Sequence, residues 1–305
     1  MNREEKHLAQ IFLKLKFYES DGQVYEDLFA KIMEKKNPNF RRVKPQGSIG
    51  DKKNDGFDDL TGTYYQVYAP ENLHKSDDKA VSKLKEDFEG LVKYWEQITP
   101  VKSFFYVLND KFKGTYPTIE ANLSKLEKKF GIPCKPFLNK DLENTFWELN
   151  ERQIIDIVGI FPNPETISNI DFSSLRKVVE FLLSKTANYS KEILPINLNF
   201  EQKIVFNNLS RFPGQLLSFG NIQSHTIQEY FQYRSDFTKE DLRKRFVELY
   251  VEGLTMFEDS ENKSDLVFFH IFDSATPEKK KPIQDAVLVL MSYYFEFCDI
   301  FEPPL

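Results

Sequence analysis

Residues 47–71, GSIGDKKNDGFDDLTGTYYQVYAPE, contain the most informative pattern in this chain of 305 residues. An acidic turn around Asp55 leads into a strand, residues 63–69, that is rich in the aromatic and β-branched residues typical of sheets. An ordinary turn explains Asp55 taken alone, because Asn-Asp-Gly is common turn chemistry. Gln66, however, lies between apolar neighbours, and its amide needs polar partners if that face is buried. The segment therefore supplies an Asp and a second side-chain oxygen on successive elements.

The surrounding sequence alternates between helical and strand patterns. Residues 24–36 place apolar side chains at the i, i+3, i+4 and i+7 spacing of one helical face. The elements predicted for this half are a helix at 24–36, a strand at 40–45, a Gly-rich turn at 47–56, a strand at 63–69, a helix at 76–96, a strand at 101–108, a helix at 119–130 and a strand at 132–138. This order predicts a small mixed sheet flanked by helices.

The second half has helical periodicity nearly throughout. A helical region at 141–160 is followed by a segment with two prolines, residues 161–165, which is the best linker candidate. The predicted division is an α/β domain at 1–160 and an all-α domain at 165–305. Helices are expected at 175–185, 200–209, 214–233, 238–256, 264–272 and 282–300.

The net charge of −6 is unevenly distributed. Residues 31–55 contain eight basic and three acidic side chains, whereas residues 257–305 contain four basic and ten acidic ones. Nucleic acid would therefore bind the N-terminal half and avoid the C-terminal end. The polar N-terminus and the short apolar runs predict a cytoplasmic protein without a membrane span. The two cysteines are too few for a disulfide framework or a thiolate zinc site.

Glu26 lies on the side of the first predicted helix that faces the protein interior. Backbone N–H groups and the helix dipole would satisfy a carboxylate in a first turn. That explanation is the simpler one for Glu26 alone, and a metal ion shared with Asp55 and the Gln66 oxygen is the other partner predicted for it. Such hard oxygen ligands suit Mg²⁺ or Mn²⁺.

Glu26, Asp55 and the Gln66-x-Tyr68 pair together resemble the PD-(D/E)XK, or restriction-endonuclease-like, nucleases, and in particular the Mrr-like branch with its Gln-x-Lys motif. In that family the Asp and the Glu or Gln hold the metal, and the Lys orients and activates the attacking water. Here Tyr68 occupies the Lys position. A phenol with a pKa near ~10 supplies no positive charge to the developing phosphate transition state.

A lysine on the following helix could replace the missing one. Lys79, Lys83 and Lys85 are the candidates, and each of them taken singly is explained by an ordinary solvated lysine. Lys83 is preferred because a side chain beside the apolar stripe, near the N-terminal end, can extend toward the edge of the sheet.

The segment YYQVYAPE and the C-terminal stretch AVLVLMSYYFEFCDIFEPP are similar to effector proteins of bacterial ABC-three-component systems, over residues 22–150 and 195–303. The resemblance implies a nuclease-type N-terminal domain, a helical docking domain, a small middle component, an SMC- or Rad50-like ATPase and a role in defence against phage or plasmids. The final helix is aromatic on more than one face. Such density belongs more often to a core, and partner binding through Tyr293, Phe295 and Phe301 is the prediction carried beside it.

The leading interpretation is a metal-dependent DNA endonuclease with Glu26, Asp55, Gln66 and Lys83 as catalytic residues. The phosphate backbone would be held by the basic side chains Arg41, Arg42, Lys44, Lys52 and Lys53. The strongest alternative is a nuclease fold that has lost cleavage and serves as a nucleic-acid-binding scaffold of the same complex. A pure assembly protein is a third interpretation, and assembly of several copies of the chain is left open.

Overall fold

The computed structural model describes residues 1–45, 51–71, 77–159, 170–185, 199–234, 236–297 and 299–304. Contacts divide the chain into two compact units, Lys16–Gly159 and Met1–Leu15 together with Ile160–Leu305. The sequence-based division at 160–165 kept residues 1–15 with the first domain, whereas the structure groups them with the second unit. The predicted linker at 161–165 lies outside the described residues.

Helix α1 (Arg3–Glu19) begins in the second unit and ends in the first, and the sequence analysis did not predict it. Its apolar positions, which include Leu8, Ile11 and Leu15, are buried. The other elements of the first unit are α2 (Gly22–Lys36), β1 (Phe40–Arg42), β2 (Gly56–Asp58), β3 (Thr63–Tyr68), α3 (Asp77–Trp95), β4 (Ser103–Leu108), α4 (Pro117–Phe130), β5 (Cys134–Phe137), α5 (Asn139–Trp147) and α6 (Glu151–Val158).

The five strands form one sheet in the order β1-β2-β3-β4-β5. The β1/β2 and β2/β3 pairs are antiparallel, and the β3/β4 and β4/β5 pairs are parallel. This arrangement confirms the prediction of a small mixed sheet flanked by helices. Strand β2 was missed because its first residue, Gly56, belongs to the predicted Gly-rich turn and because Gly and Asp are residues that strands disfavour. Its first residue must be small, since a Cβ on Gly56 would lie 2.3 Å from Cζ of Phe40.

The alternation of side chains along β3 determines which helix each residue faces. Tyr65 packs on Phe29 of α2 with ring centroids 5.5 Å apart. Tyr64 packs on Trp95 of α3 at 6.0 Å. Helices α2 and α3 therefore cover opposite faces of the sheet. Gln66 follows Tyr64 by two residues, so its side chain lies on the α3 face.

In the second unit, all regular elements that the structure describes from residue 170 onward are α-helices. They are α7 (Phe172–Leu183), α8 (Phe200–Phe206), α9 (Arg211–Asn221), α10 (Ser224–Gln232), α11 (Asp236–Met256), α12 (Lys263–Ala275) and α13 (Lys281–Glu296). Helix α13 is buried along residues 285–295 and forms the centre of this unit. Helix α9 approaches it closely at Gly220, where a Cβ would lie 2.2 Å from Oγ of Ser292.

Buried polar contacts tie the end of the second unit to its helices. Nζ of Lys203 on α8 donates hydrogen bonds to the carbonyl oxygens of Phe295 and Ile300 at 2.6 and 2.8 Å. Arg243 on α11 pairs with the carboxylate of Asp299 at 2.5 Å. Across the described ranges, no helix combines the length and the apolar character needed to cross a bilayer.

Candidate functional site

Asp55 lies immediately before β2 and is held by two hydrogen bonds to β3. Its backbone N–H donates to the carbonyl of Tyr65 at 3.1 Å. Its Oδ2 accepts the backbone N–H of Val67 at 2.6 Å. Only 6% of Asp55 is exposed, so strand pairing fixes a buried carboxylate beside the middle of β3.

Gln66 lies beside Asp55 on the α3 face of the sheet. The antiparallel pairing of β2 and β3 ends with Gly56 opposite Tyr65, and the two hydrogen bonds of Asp55 go to the backbone on either side of Gln66, at Tyr65 and Val67. Side chains alternate along a strand, so Asp55 is expected on the same face as Phe57, whose ring packs against Tyr64 and Trp95 on the α3 side. Gln66 is buried, and its Oε1 has no hydrogen-bond partner among the described residues. The two predicted oxygen ligands are therefore neighbours, and the Gln66 oxygen lacks a hydrogen-bond partner in the described part of the chain.

The electrostatic environment of Asp55 favours the neutral carboxyl group. Burial raises the pKa of Asp55 to about 7, although the hydrogen bond from Val67 opposes this shift. The negative charges of Glu26 and Asp51 raise this pKa further, whereas the positive charge of Lys83 lowers it. A cation bound at this position would favour ionisation of Asp55, because it would compensate for the lost hydration.

Lys83 lies close to Tyr68, the residue that the sequence comparison with PD-(D/E)XK nucleases places at the lysine position. Its Nζ is 5.2 Å from the centroid of the Tyr68 ring, and the Tyr68 ring stacks on Tyr106 of β4. The positive charge of Lys83 also lowers the pKa of Asp55, against the larger effect of burial. Lys85, by contrast, lies near Glu89 on another side of α3, where the hydrogen bond from Lys129 lowers the pKa of Glu89 and the charge of Lys85 adds to this effect. The side chain of Lys79 lies outside the described residues. These contacts favour Lys83 among the three candidates.

Glu26 has a different partner from the one that the sequence predicts. Its Oε1 accepts a hydrogen bond from the guanidinium of Arg42 at 2.9 Å, and Arg42 also pairs with Asp27. Among the described residues, no group of three or more His, Cys, Asp or Glu side chains is arranged to hold a metal ion. The oxygen ligands that the structure brings together are thus Asp55 and Gln66, and metal binding by Glu26 stays a prediction.

Asp87 on α3 is a buried carboxylate that the sequence analysis missed. It is 0% exposed, and burial raises its pKa, whereas the charges of Lys53 and Lys83 lower it. Nζ of Lys53 lies 2.8 Å from its Oδ1. A sequence signal was available, because Asp87 falls within the apolar stripe of this helix, between Leu84 and Leu91.

The five basic residues predicted to bind nucleic acid have different surroundings. Arg42 and Lys53 neutralise acidic side chains, namely Glu26 and Asp27 for Arg42 and Glu86 and Asp87 for Lys53. Arg41 is exposed and pairs with Asp59, and Lys44 is exposed. Nζ of Lys52 lies 5.5 Å from the centroid of the Tyr94 ring. Arg41, Lys44 and Lys52 are therefore the better placed to contact a phosphate backbone.

The three aromatic residues predicted to contact a partner belong instead to the core of the second unit. Tyr293, Phe295 and Phe301 are all at least 96% buried. Phe295 packs against Phe301 and Phe200. The aromatic density on several faces of α13 reflects a helix surrounded by other helices. The prediction of a partner surface at these rings is therefore corrected. Exposed rings of this unit include Phe172, Tyr233 and Phe237.

The helical second unit is the part of the chain that comparison with known families identifies. Residues 173–302 match the family model for C-terminal domain 10 of the ABC-three component (ABC-3C) systems. The second unit therefore contains a C-terminal domain of the ABC-three-component type. ABC-3C systems are defence-type complexes of several components. No curated protein and no solved structure matches the chain.

Proposed function

We propose that this ABC-3C protein is the nuclease effector of its complex. Its first unit would be a restriction-endonuclease-like domain of the PD-(D/E)XK class that hydrolyses DNA phosphodiesters with Mg²⁺ or Mn²⁺. An SMC- or Rad50-like ATPase and a small middle component would be its partners. The observation that carries the proposal is the meeting of Asp55 and Gln66 on one face of the sheet, with the charge of Lys83 acting on Asp55.

The donor set fits a hard divalent cation. A carboxylate and an amide oxygen are ligands that Mg²⁺ and Mn²⁺ accept. Oε1 of Gln66 is buried without a partner in the described part of the chain. Such a cation supplies a Lewis acid for the phosphoryl oxygen and lowers the pKa of water. Asp55 must be ionised to bind it, so we expect cation binding to release a proton below about pH 7.

Lys83 would supply the positive charge that Tyr68 lacks. Two observations support this role: its Nζ lies 5.2 Å from the centroid of the Tyr68 ring, and its positive charge lowers the pKa of Asp55. A fixed positive charge stabilises the negative charge that develops on phosphate during hydrolysis. Glu26 could act as a ligand or as a water-orienting base only after its pair with Arg42 has opened. A substrate phosphate could open that pair, because a guanidinium binds phosphate in the same forked manner as carboxylate.

The experiment compares cleavage by the wild-type chain, Asp55→Asn, Gln66→Ala and the control Asp59→Asn. Asp59 pairs with Arg41, so its replacement removes a carboxylate away from the proposed site. Supercoiled plasmid, linear duplex, single-stranded DNA and RNA are incubated with Mg²⁺, Mn²⁺ or EDTA, with the chain alone and with its complex partners. We expect metal-dependent nicking that Asp55→Asn and Gln66→Ala abolish and Asp59→Asn retains. Equal nicking by wild type and Asp55→Asn would refute the proposal.

A second candidate function is a nucleic-acid-binding scaffold without cleavage. Two observations favour it. Tyr68 places a phenol at the lysine position, and Glu26 already forms an ion pair with Arg42. The scaffold would bind nucleic acid with a steep salt dependence and give no product with either metal, alone or with its partners.

A further inference from the structure

A groove lies between residues 51–53 and the C-terminal half of α3. Its volume is about 690 Å³, and its lining includes Lys52, Lys53, Gly90, Lys93, Tyr94 and Ile98. That volume is within the roughly 300–1,000 Å³ typical of ligand pockets. The groove belongs entirely to the first unit.

The lining combines positive charge with an accessible aromatic ring. Tyr94 is 40% exposed and Ile98 is 58% exposed. The edge-on ring of Trp95 supports Tyr94, with centroids 5.5 Å apart. Nζ of Lys52 lies 5.5 Å from the centroid of Tyr94, and Lys93 is exposed on the same helix. Asp51 is the acidic residue of the lining, and its carboxylate accepts the backbone N–H of Lys53 at 2.8 Å.

The backbone holds the two loop lysines against the helix. Lys52 and Lys53 both adopt left-handed conformations, with φ of 57° and 65°. Such conformations are costly for residues with a Cβ and persist only where surrounding structure enforces them. A Cβ on Gly90 would lie 3.2 Å from Cγ of Lys53, so the absence of a side chain at residue 90 leaves room for the lysine stem. The loop thereby forms one wall of the groove.

We propose that this groove binds a single strand of nucleic acid, with a base on the Tyr94 ring and phosphates near Lys52 and Lys93. Aromatic rings stack on bases of any sequence, and flanking cations follow the strand's backbone. A duplex hides the faces of its bases, whereas an unpaired strand presents them. Lys53 of the groove wall also pairs with Asp87; burial raises the pKa of Asp87, and the charges of Lys53 and Lys83 lower it. The placement of the strand beside a cleavage site rests on the proposed function, but the binding itself does not.

The test measures binding of fluorescently labelled single-stranded DNA, single-stranded RNA and duplex DNA by anisotropy. All proteins carry Asp55→Asn and are measured in EDTA, so that cleavage cannot interfere. We expect Tyr94→Ala to weaken single-strand binding by about 5-fold to 150-fold and Tyr94→Phe to retain it, because stacking needs only the ring. Lys93→Ala should lower the salt dependence of binding. The matched control is Lys128→Ala, because Lys128 is an exposed residue of α4 outside the groove lining. It should change neither the single-strand affinity nor its salt dependence.

Unchanged single-strand affinity of Tyr94→Ala would overturn the proposal, and so would an equal loss of duplex and single-strand binding. Circular dichroism and thermal melting establish that each variant is folded. DNA and RNA arms show which strand the groove prefers, and binding of either supports the inference. Loss of binding in Tyr94→Ala together with no cleavage by the wild type would retain the groove and refute the nuclease. Cleavage by the wild type together with unchanged single-strand binding by Tyr94→Ala would retain the nuclease and refute the groove.

Discussion

Replacing Asp55 by Asn should stabilise the protein in a pH-dependent way when no metal is present. Burial raises the pKa of Asp55 to about 7 from an ordinary value of 3.8. The folded state therefore holds a proton that the unfolded state releases between these two pH values. The contribution of Asp55 to stability is highest below pH 3.8, falls as the pH rises, and levels off above about pH 7.

The magnitude follows from the size of the pKa difference. A difference between 3.8 and about 7 corresponds to about 4 kcal/mol, because one pKa unit is worth about 1.4 kcal/mol. Asn keeps an acceptor for the Val67 N–H and carries no charge. We therefore expect Asp55→Asn to exceed the wild type in free energy of unfolding by about 4 kcal/mol at pH 8 and by about 1 kcal/mol at pH 4.5.

The assay is urea denaturation in EDTA at pH 4.5, 6, 7 and 8, followed by tryptophan fluorescence. The two tryptophans of the chain, Trp95 and Trp147, both lie in the Lys16–Gly159 unit, so this signal reports the unit that contains Asp55. A stability difference that does not change with pH would refute the reasoning. An Asp55→Asn variant that is less stable than the wild type at pH 8 would refute it as well.

Three further outcomes are expected. Adding Mg²⁺ or Mn²⁺ at pH 8 should raise the thermal midpoint of the wild type and leave that of Asp55→Asn unchanged, because the cation stabilises only the ionised carboxylate; equal shifts would contradict the proposed site. Lys83→Ala should lower metal-dependent cleavage by about 100-fold with Lys85→Ala near wild type, and full activity of Lys83→Ala would exclude this lysine. Gly220→Ala should destabilise the second unit by about 1–3 kcal/mol in calorimetry, because its Cβ would lie 2.2 Å from Oγ of Ser292; an unchanged melting profile would show that the two helices can separate.

The sequence predicted most elements of the first unit because its helices and longer strands have clear periodicities. Helices α2, α3 and α4 and strands β3 and β4 follow the expected ranges closely. Strand β2 and helix α1 were missed. Strand β2 consists of Gly-Phe-Asp and so has the composition of a turn, and the apolar positions of α1 begin only after a polar first turn.

The candidate site was predictable to the extent that its members depend on local pattern. The amide of Gln66 within an apolar strand and the acidic turn at Asp55 are visible in the sequence, and the register of β2 and β3 brings them together. The partners of Glu26 and Asp87 are not visible, because Arg42 and Lys53 reach them from other elements. Charge counting assigned both of these basic residues to nucleic acid, whereas the folded chain uses them to neutralise buried or half-buried carboxylates.

Most of the helices and strands, the candidates Asp55 and Gln66, and the match of residues 173–302 to the ABC-3C C-terminal domain follow from the amino-acid sequence. Periodicity and residue type are local properties, so they are visible without knowledge of the fold. The burial of Tyr293, Phe295 and Phe301 in a core and the position of Lys83 near the Tyr68 ring depend on the folded chain. An aromatic face has the same pattern whether a neighbouring helix or a partner covers it, and packing between distant segments determines which of the two occurs.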